Sequence, residues 1–186
     1  MANSKIIIVE GAQGAGKTTI TDFIRHAIPY TNLYRLSGTA DSSKEGKQKA
    51  ERMYEDLLEY IGKLQNMSVN LLFDRTFFTE EIYCRLGFKD YNFSDVYQRL
   101  LEKLADMDFD IYYITMYLSD ENEFEKRIKR SGVNYIDKVH YQRYIDFDDF
   151  KNKNEGEYYY FTRYGTKAYS EIDFSDKNKN YYLIFG

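Results

Sequence analysis

The stretch Lys5-Ile6-Ile7-Ile8-Val9-Glu10-Gly11-Ala12-Gln13-Gly14-Ala15-Gly16-Lys17-Thr18-Thr19 constrains the fold more than any other part of the chain. The apolar run Ile6 to Val9 has the residue types and length of a buried strand. A glycine-rich turn follows, and from Thr18 the spacing of Ile20, Phe23, Ile24 and Ala27 becomes helical. Gly11, Gly16, Lys17 and Thr18 fit G-x-x-x-x-G-K-[ST], with strand, loop and helix in the order a phosphate-binding loop requires. Such a unit predicts an α/β protein built on a parallel sheet.

The residue types have chemical reasons. Gly11, Gly14 and Gly16 let the backbone take positive φ and approach an anion with its N–H groups. The helix start adds unpaired N–H groups and the positive end of a dipole. Lys17 supplies a mobile charge for β- and γ-phosphates, and the Thr18 hydroxyl is a hard oxygen ligand suited to Mg²⁺. The candidate ATP-binding residues are therefore Gly11, Ala12, Gln13, Gly14, Ala15, Gly16, Lys17, Thr18 and Thr19.

The length of 186 residues suits a single domain over residues 1–186. Lys and Arg total 26 against 30 Asp and Glu, a net charge of -4, which argues against a sequence-independent nucleic-acid binder. The expectation is thus no nucleic-acid partner. The one cysteine, Cys84, cannot form an internal disulfide, consistent with a reducing compartment. No charged, apolar leader and no run long enough to span a bilayer is visible, so a cytoplasmic location without membrane association is expected.

Further along, Pro29 ends the first helix, expected over Lys17 to Ala27, and Leu33 to Leu36 reads as a short strand. Turn formers fill Ser37 to Gly46, and Ala50, Met53, Tyr54, Leu57, Leu58, Ile61 and Leu64 mark an amphipathic helix from about Lys47 to Gln65. Val69 to Phe73 reads as a strand that delivers Asp74 and Arg75 to the carboxyl edge, where open α/β sheets bind ligands. Asp74 can hold Mg²⁺ through water or take a proton, and Arg75 can grip an acceptor phosphate with its planar fork. Helices are expected over Thr76 to Leu86 and about Phe93 to Ala105, and a strand over Asp110 to Leu118.

A helix from Ser119 or Asp120 carries Arg127 and Arg130 three residues apart on one face, suited to clamping a transferring phosphoryl group. Ser131 to Asp137 is short, polar and suited to a lid, giving a lid region of about residues 127–138. Another helix reads over about Lys138 to Phe150. Tyr158 to Tyr164 is an aromatic stretch, and Tyr169 to Phe174 and Tyr181 to Phe185 are rival candidates for a fifth strand. His26 and His140 lack partners at ligand spacing.

The order of these motifs resembles the thymidylate kinase and deoxynucleoside kinase group of P-loop kinases, over about Lys5 to Phe150. Val9-Glu10-Gly11-x-x-Gly14-Ala15-Gly16-Lys17-Thr18-Thr19 is similar to the E-G-x-x-G-A-G-K-T-T opening of thymidylate kinases. Asp74-Arg75-Thr76-Phe77-Phe78-Thr79 with Tyr83 is similar to their D-R-Y-x-x-S and later aromatic, and Arg127-x-x-Arg130-x-Gly132 to their lid. The resemblance implies a three-layer fold with a five-stranded, mainly parallel sheet between helices, Mg-ATP as donor, and a nucleoside or nucleoside monophosphate as acceptor. A homodimer is left open. Gln13 stands where thymidylate kinases often carry a carboxylate, no T-R-E-P-like segment follows the second strand, and Thr76 replaces the usual Tyr.

The functional expectation is an ATP- and Mg²⁺-dependent phosphotransferase acting on a small-molecule nucleotide or nucleoside. Lys17, Asp74, Arg127 and Arg130 are its catalytic residues, Thr18 and Asp74 its metal ligands, and Gln13, Arg35, Arg75, Phe78 and Tyr83 its acceptor contacts. No acidic residue follows the second strand before Asp41, whereas Arg35 and Arg75 offer two cations, which favours a monophosphate acceptor. A deoxynucleoside kinase and an ATP-binding regulatory module without turnover are the alternatives. A GTPase is disfavoured because neither N-K-x-D nor D-x-x-G follows the loop.

Overall fold

The computed structural model describes residues 4–11, 16–85, 87–117, 156–162 and 165–172. Strand β1 (Lys5–Gly11) is the apolar run of the sequence and is buried from Ile6 onward. Helix α1 (Lys17–Ala27) begins directly after Gly16, which adopts φ 99°, a left-handed value that favours glycine. Strand β2 (Thr31–Arg35), helix α2 (Lys44–Lys63) and strand β3 (Asn70–Asp74) follow. Helices α3 (Phe77–Arg85) and α4 (Ser94–Ala105) then lead to strand β4 (Asp110–Tyr117), and β5 (Gly156–Thr162) and β6 (Gly165–Ile172) form a hairpin.

The strands form one sheet in the order β2-β3-β1-β4-β5-β6. Its core is the parallel set β2, β3, β1 and β4, flanked by helices, in accordance with the α/β expectation. β5 joins β4 in parallel over Thr115↔Tyr160, Met116↔Phe161 and Tyr117↔Thr162, and β6 closes the edge antiparallel to β5. Among the described residues the sheet therefore has six strands where five were expected. The strand beside β4 comes from the aromatic stretch, whereas Tyr169 sits on the antiparallel β6. The candidate strand Tyr181 to Phe185, the helices expected over residues 119–150 and the lid at 127–138 lie outside the described residues.

The register divides the apolar residues between two faces. Ile6 pairs with Leu71 and Ile111, and Ile8 with Phe73 and Tyr113. These residues share one core cluster with Tyr54, Leu58 and Ile61 of α2, Phe77 and Phe78 of α3, and Val96, Leu100 and Leu104 of α4. Ile7, Val9 and Leu72 are equally buried but lie outside that cluster, as the period of two along a strand requires. Helix α1, which buries Thr21 and Ile24, packs against β1, β2 and β3.

This order also locates the crevice. From β1 the chain passes over β3 to reach β2, and from β3 it passes over β1 to reach β4. The strand order thus reverses between β1 and β3, and in open α/β sheets ligands usually lie at the carboxyl ends of the strands at such a point.

Candidate functional site

The carboxyl ends of β1 and β3 bring the sequence-selected residues together. Lys17, at the first turn of α1, reaches back so that its Nζ donates to the Gly11 carbonyl oxygen at 2.7 Å. Lys17 is only 6% exposed, so its side chain is buried and not the mobile charge expected. Burial, with the nearby Arg75 guanidinium second, pushes its amine down to about 7 against the pull of Asp74 and Glu10.

Asp74 ends β3 opposite Val9 and Arg35 and is itself buried. The Thr18 hydroxyl donates to its Oδ2 at a long 3.4 Å, and Arg35 Nε stands 3.7 Å from the same oxygen. Arg35 also donates from Nη2 to Asp22 Oδ1 at 2.6 Å, which ties the end of β2 to α1. Arg75 adopts φ 75°, unusual for a side-chain-bearing residue, and its N–H donates to the Val9 carbonyl at 3.0 Å. Lys17, Thr18, Arg35, Asp74 and Arg75 thus meet at one edge, as the sequence suggested. Thr19 is exposed on α1.

Two of the expected acceptor contacts take other places. Phe78 is 5% exposed and packs against Phe77, Tyr97 and Tyr113 in the aromatic core. Tyr83 is half-buried and meets Phe88 edge-on, with ring centroids 5.9 Å apart. Ala12, Gln13, Gly14, Ala15, Arg127 and Arg130 lie outside the described residues. Among the described residues no group of three or more His, Cys, Asp or Glu side chains is placed to hold a metal ion. Cys84 is half-buried, and its thiol is pushed up to about 12 chiefly by burial, which suits packing.

Sequence reasoning missed Glu10 as a site residue. It is fully buried at the end of β1, where Oε1 accepts from the Thr76 N–H at 2.6 Å and the Thr76 hydroxyl at 3.0 Å. Its Oε2 accepts from the Thr79 hydroxyl at 2.6 Å. Burial outweighs these bonds and pushes the carboxyl up to about 7. The available signal was a lone carboxylate at the end of an apolar strand, which must find donors if it is buried. Glu80 was missed in the same way: Oε1 accepts from the Tyr91 hydroxyl at 2.5 Å and pairs with Lys89 Nζ at 3.2 Å, and Lys89 also donates to the Thr39 carbonyl at 2.6 Å.

The two shifted groups set a pH dependence with opposite signs. Glu10 holds its proton more tightly folded than unfolded, so between about 4.5 and about 7 its contribution falls as pH rises. Lys17 releases its proton more easily folded, so between about 7 and 10.5 its contribution rises with pH. Together they place a minimum of their joint contribution near neutrality. Urea titrations across pH should show Glu10→Gln flattening the acidic limb and Lys17→Met the alkaline limb. Limbs that both variants leave unchanged would show that these groups do not set the dependence.

No protein-family model matches the chain. A Listeria monocytogenes protein named as a tRNA (cytidine(34)-2'-O)-methyltransferase is 48% identical over 63 residues, which are 33% of this chain and 37% of the relative. A Geobacillus stearothermophilus protein of the same name is 36% identical over 63 residues, 33% of this chain and 40% of the relative. The chain thus spans little more than a third of the length of these curated relatives. Among solved structures, a deoxyadenosine kinase from M. mycoides with bound dATP has TM-score 0.52 and 16% identity, over 80% of this chain and 84% of that one. A thymidylate kinase from Candida albicans has TM-score 0.50 and 13% identity, over 82% and 94%. At such identities the likeness is one of fold alone.

These findings correct the functional expectations. Membership of the thymidylate kinase and deoxynucleoside kinase group and phosphotransferase chemistry are overturned by relatives at 34–48% identity named for methylation of tRNA. The same relatives overturn ATP and Mg²⁺ as cofactors, and the expectation that no nucleic acid takes part. The physical reason is that a strand, glycine loop and helix with a lysine report an anion cradle on a widely shared fold. They do not report which molecule carries the anion or what reaction follows. Among the described residues no helix is long and apolar enough to cross a membrane.

Proposed function

We propose that this protein acts on RNA, transferring a methyl group to a ribose 2'-hydroxyl, with the strand-edge site taking a phosphate group of that RNA. The observation that carries the chemistry is the 34–48% identity to proteins named for cytidine 2'-O-methylation of tRNA. Because the chain spans 37% of the Listeria relative, activity, substrate and partner all belong to the proposal. In the transfer, the ribose 2'-oxygen bonds to the methyl carbon as the donor's bond to that carbon breaks, and the hydroxyl proton passes to a base. Holding a neighbouring phosphate fixes the ribose in reach, which is where positioning contributes to rate. A cytoplasmic location and a single domain accord with this reading.

Lys17, Arg35 and Arg75 gather at the edge beside the start of α1, and that arrangement supports phosphate recognition. With a net charge of -4, the chain is suited to gripping one or two phosphates locally and not to coating a nucleic acid with positive charge. The logarithm of RNA affinity against that of salt should therefore fall with a slope of about -1, near -0.7 per single-strand phosphate neutralised. The decisive assay is transfer of labelled methyl from S-adenosylmethionine to a tRNA anticodon stem-loop containing cytidine. Label at a cytidine 2'-oxygen is expected, and its absence with folded protein would sink the proposal.

A further inference from the structure

We propose that Glu10 is a positioning residue of the strand-edge site: its carboxylate holds the turn Asp74-Arg75-Thr76 in the conformation that sets Arg75 beside Lys17. The inference rests on reading that site as a phosphate cradle, and it assigns Glu10 a role no sequence motif gave it. The left-handed φ of 75° at Arg75 is disfavoured for any residue with a Cβ, so neighbouring contacts must over-determine it. They bracket it on both sides. The Arg75 N–H is held by the Val9 carbonyl at 3.0 Å, and the next N–H, that of Thr76, by Glu10 Oε1 at 2.6 Å. Consecutive residues of β1 therefore grip consecutive amides of the turn.

The rest of the carboxylate's capacity serves the same segment. The Thr76 hydroxyl donates to Oε1 and the Thr79 hydroxyl to Oε2, which fastens the first turn of α3 to the end of β1. Every other side chain of β1 from Ile6 to Val9 is aliphatic, and an aliphatic residue at position 10 would fill the space without a buried charge. Among the described residues the carboxylate's hydrogen bonds all come from Thr76 and Thr79, so it is placed to hold the segment that follows Arg75. The result is visible in the electrostatics, since Arg75 is close enough to help depress the Lys17 amine.

Glu10→Gln keeps an acceptor for the Thr76 N–H, and Glu10→Leu removes it. Pyrophosphate titrations by calorimetry, well below the unfolding range, should show the Gln variant within about threefold of wild type and the Leu variant weakened tenfold or more. Arg75→Ala should weaken wild type but add little in the Leu background, because the guanidinium is no longer held in place. Amide exchange at Thr76 reads the turn without ligand and should be at least tenfold faster in the Leu variant than in wild type or the Gln variant. Unchanged exchange or unchanged pyrophosphate affinity in Glu10→Leu overturns the proposal. Pyrophosphate binding that does not respond to Lys17→Met overturns instead the reading of the site as a phosphate cradle.

Discussion

Lys17→Met should weaken pyrophosphate binding by about 30-fold or more while leaving the protein as stable as wild type or slightly more so. The affinity loss follows from removing one charged partner of a desolvated ion pair, which costs about 2–5 kcal/mol in comparable interfaces. The stability effect has the other sign because Lys17 is 6% exposed, and burial rather than exposure governs its amine. Methionine of similar length relieves the protein of a buried ammonium, a change that is often neutral or stabilising. It also gives up one donor to the Gly11 carbonyl, worth about 1–3 kcal/mol at most. Calorimetric titration and urea unfolding on one preparation give both numbers. Equal affinity in variant and wild type would remove Lys17 from the site.

The local elements of this fold were legible because their signals are local. The first helix spans Lys17–Ala27 as read, stopped ahead of Pro29, and β3 ends on Asp74 as its apolar run implied. The start of α2 was read three residues late. The Asp41 carboxylate accepts from both the N–H and the hydroxyl of Ser43, and this side-chain turn starts the helix at Lys44 before the apolar period becomes visible. The fifth strand was misplaced because pairing is non-local: Tyr158 to Tyr164 and Tyr169 to Phe174 both have strand-like composition, and only register with β4 decides between them.

That Lys17, Thr18, Arg35, Asp74 and Arg75 lie at one strand edge was legible because each is polar at the end of a strand or beside a glycine-rich stretch. Phe78 was misread as a ligand contact for an equally physical reason. Helix α3 buries Phe77, Phe78, Thr79, Glu80, Glu81 and Ile82 in succession, so no alternation of polar and apolar residues marks which side meets the core. The same burial hides Glu10 and Glu80, whose partners lie 66 to 69 residues away for Glu10 and 11 away for the Tyr91 contact of Glu80. The functional expectation failed at a different level. A strand, glycine loop and helix are generic to phosphate groups, and the curated relatives are named for RNA chemistry that such a motif does not encode.

The largest loss of stability is expected from Phe77→Ala. Phe77 is 1% exposed and sits between sheet and helices, stacked on Phe78 with centroids 4.7 Å apart, edge-on to Tyr54 at 6.1 Å and tilted to Tyr97 at 5.8 Å. Truncation leaves a cavity bordered by rings from α2, α3 and α4, which are held by their other core contacts and can relax into it only in part. Buried Phe→Ala changes cost about 3–5 kcal/mol, a large share of the about 5–15 kcal/mol that holds a domain folded. With a urea slope near 2 kcal/mol per molar, the midpoint should fall by about 2 M at unchanged slope. Because Phe77 follows Thr76 directly, the loosened start of α3 should also speed Thr76 amide exchange, linking the aromatic core to the turn that carries Arg75. A midpoint shift under about 0.5 M would mean that the three helices repack around the gap and that this aromatic cluster is not the centre of the fold's stability.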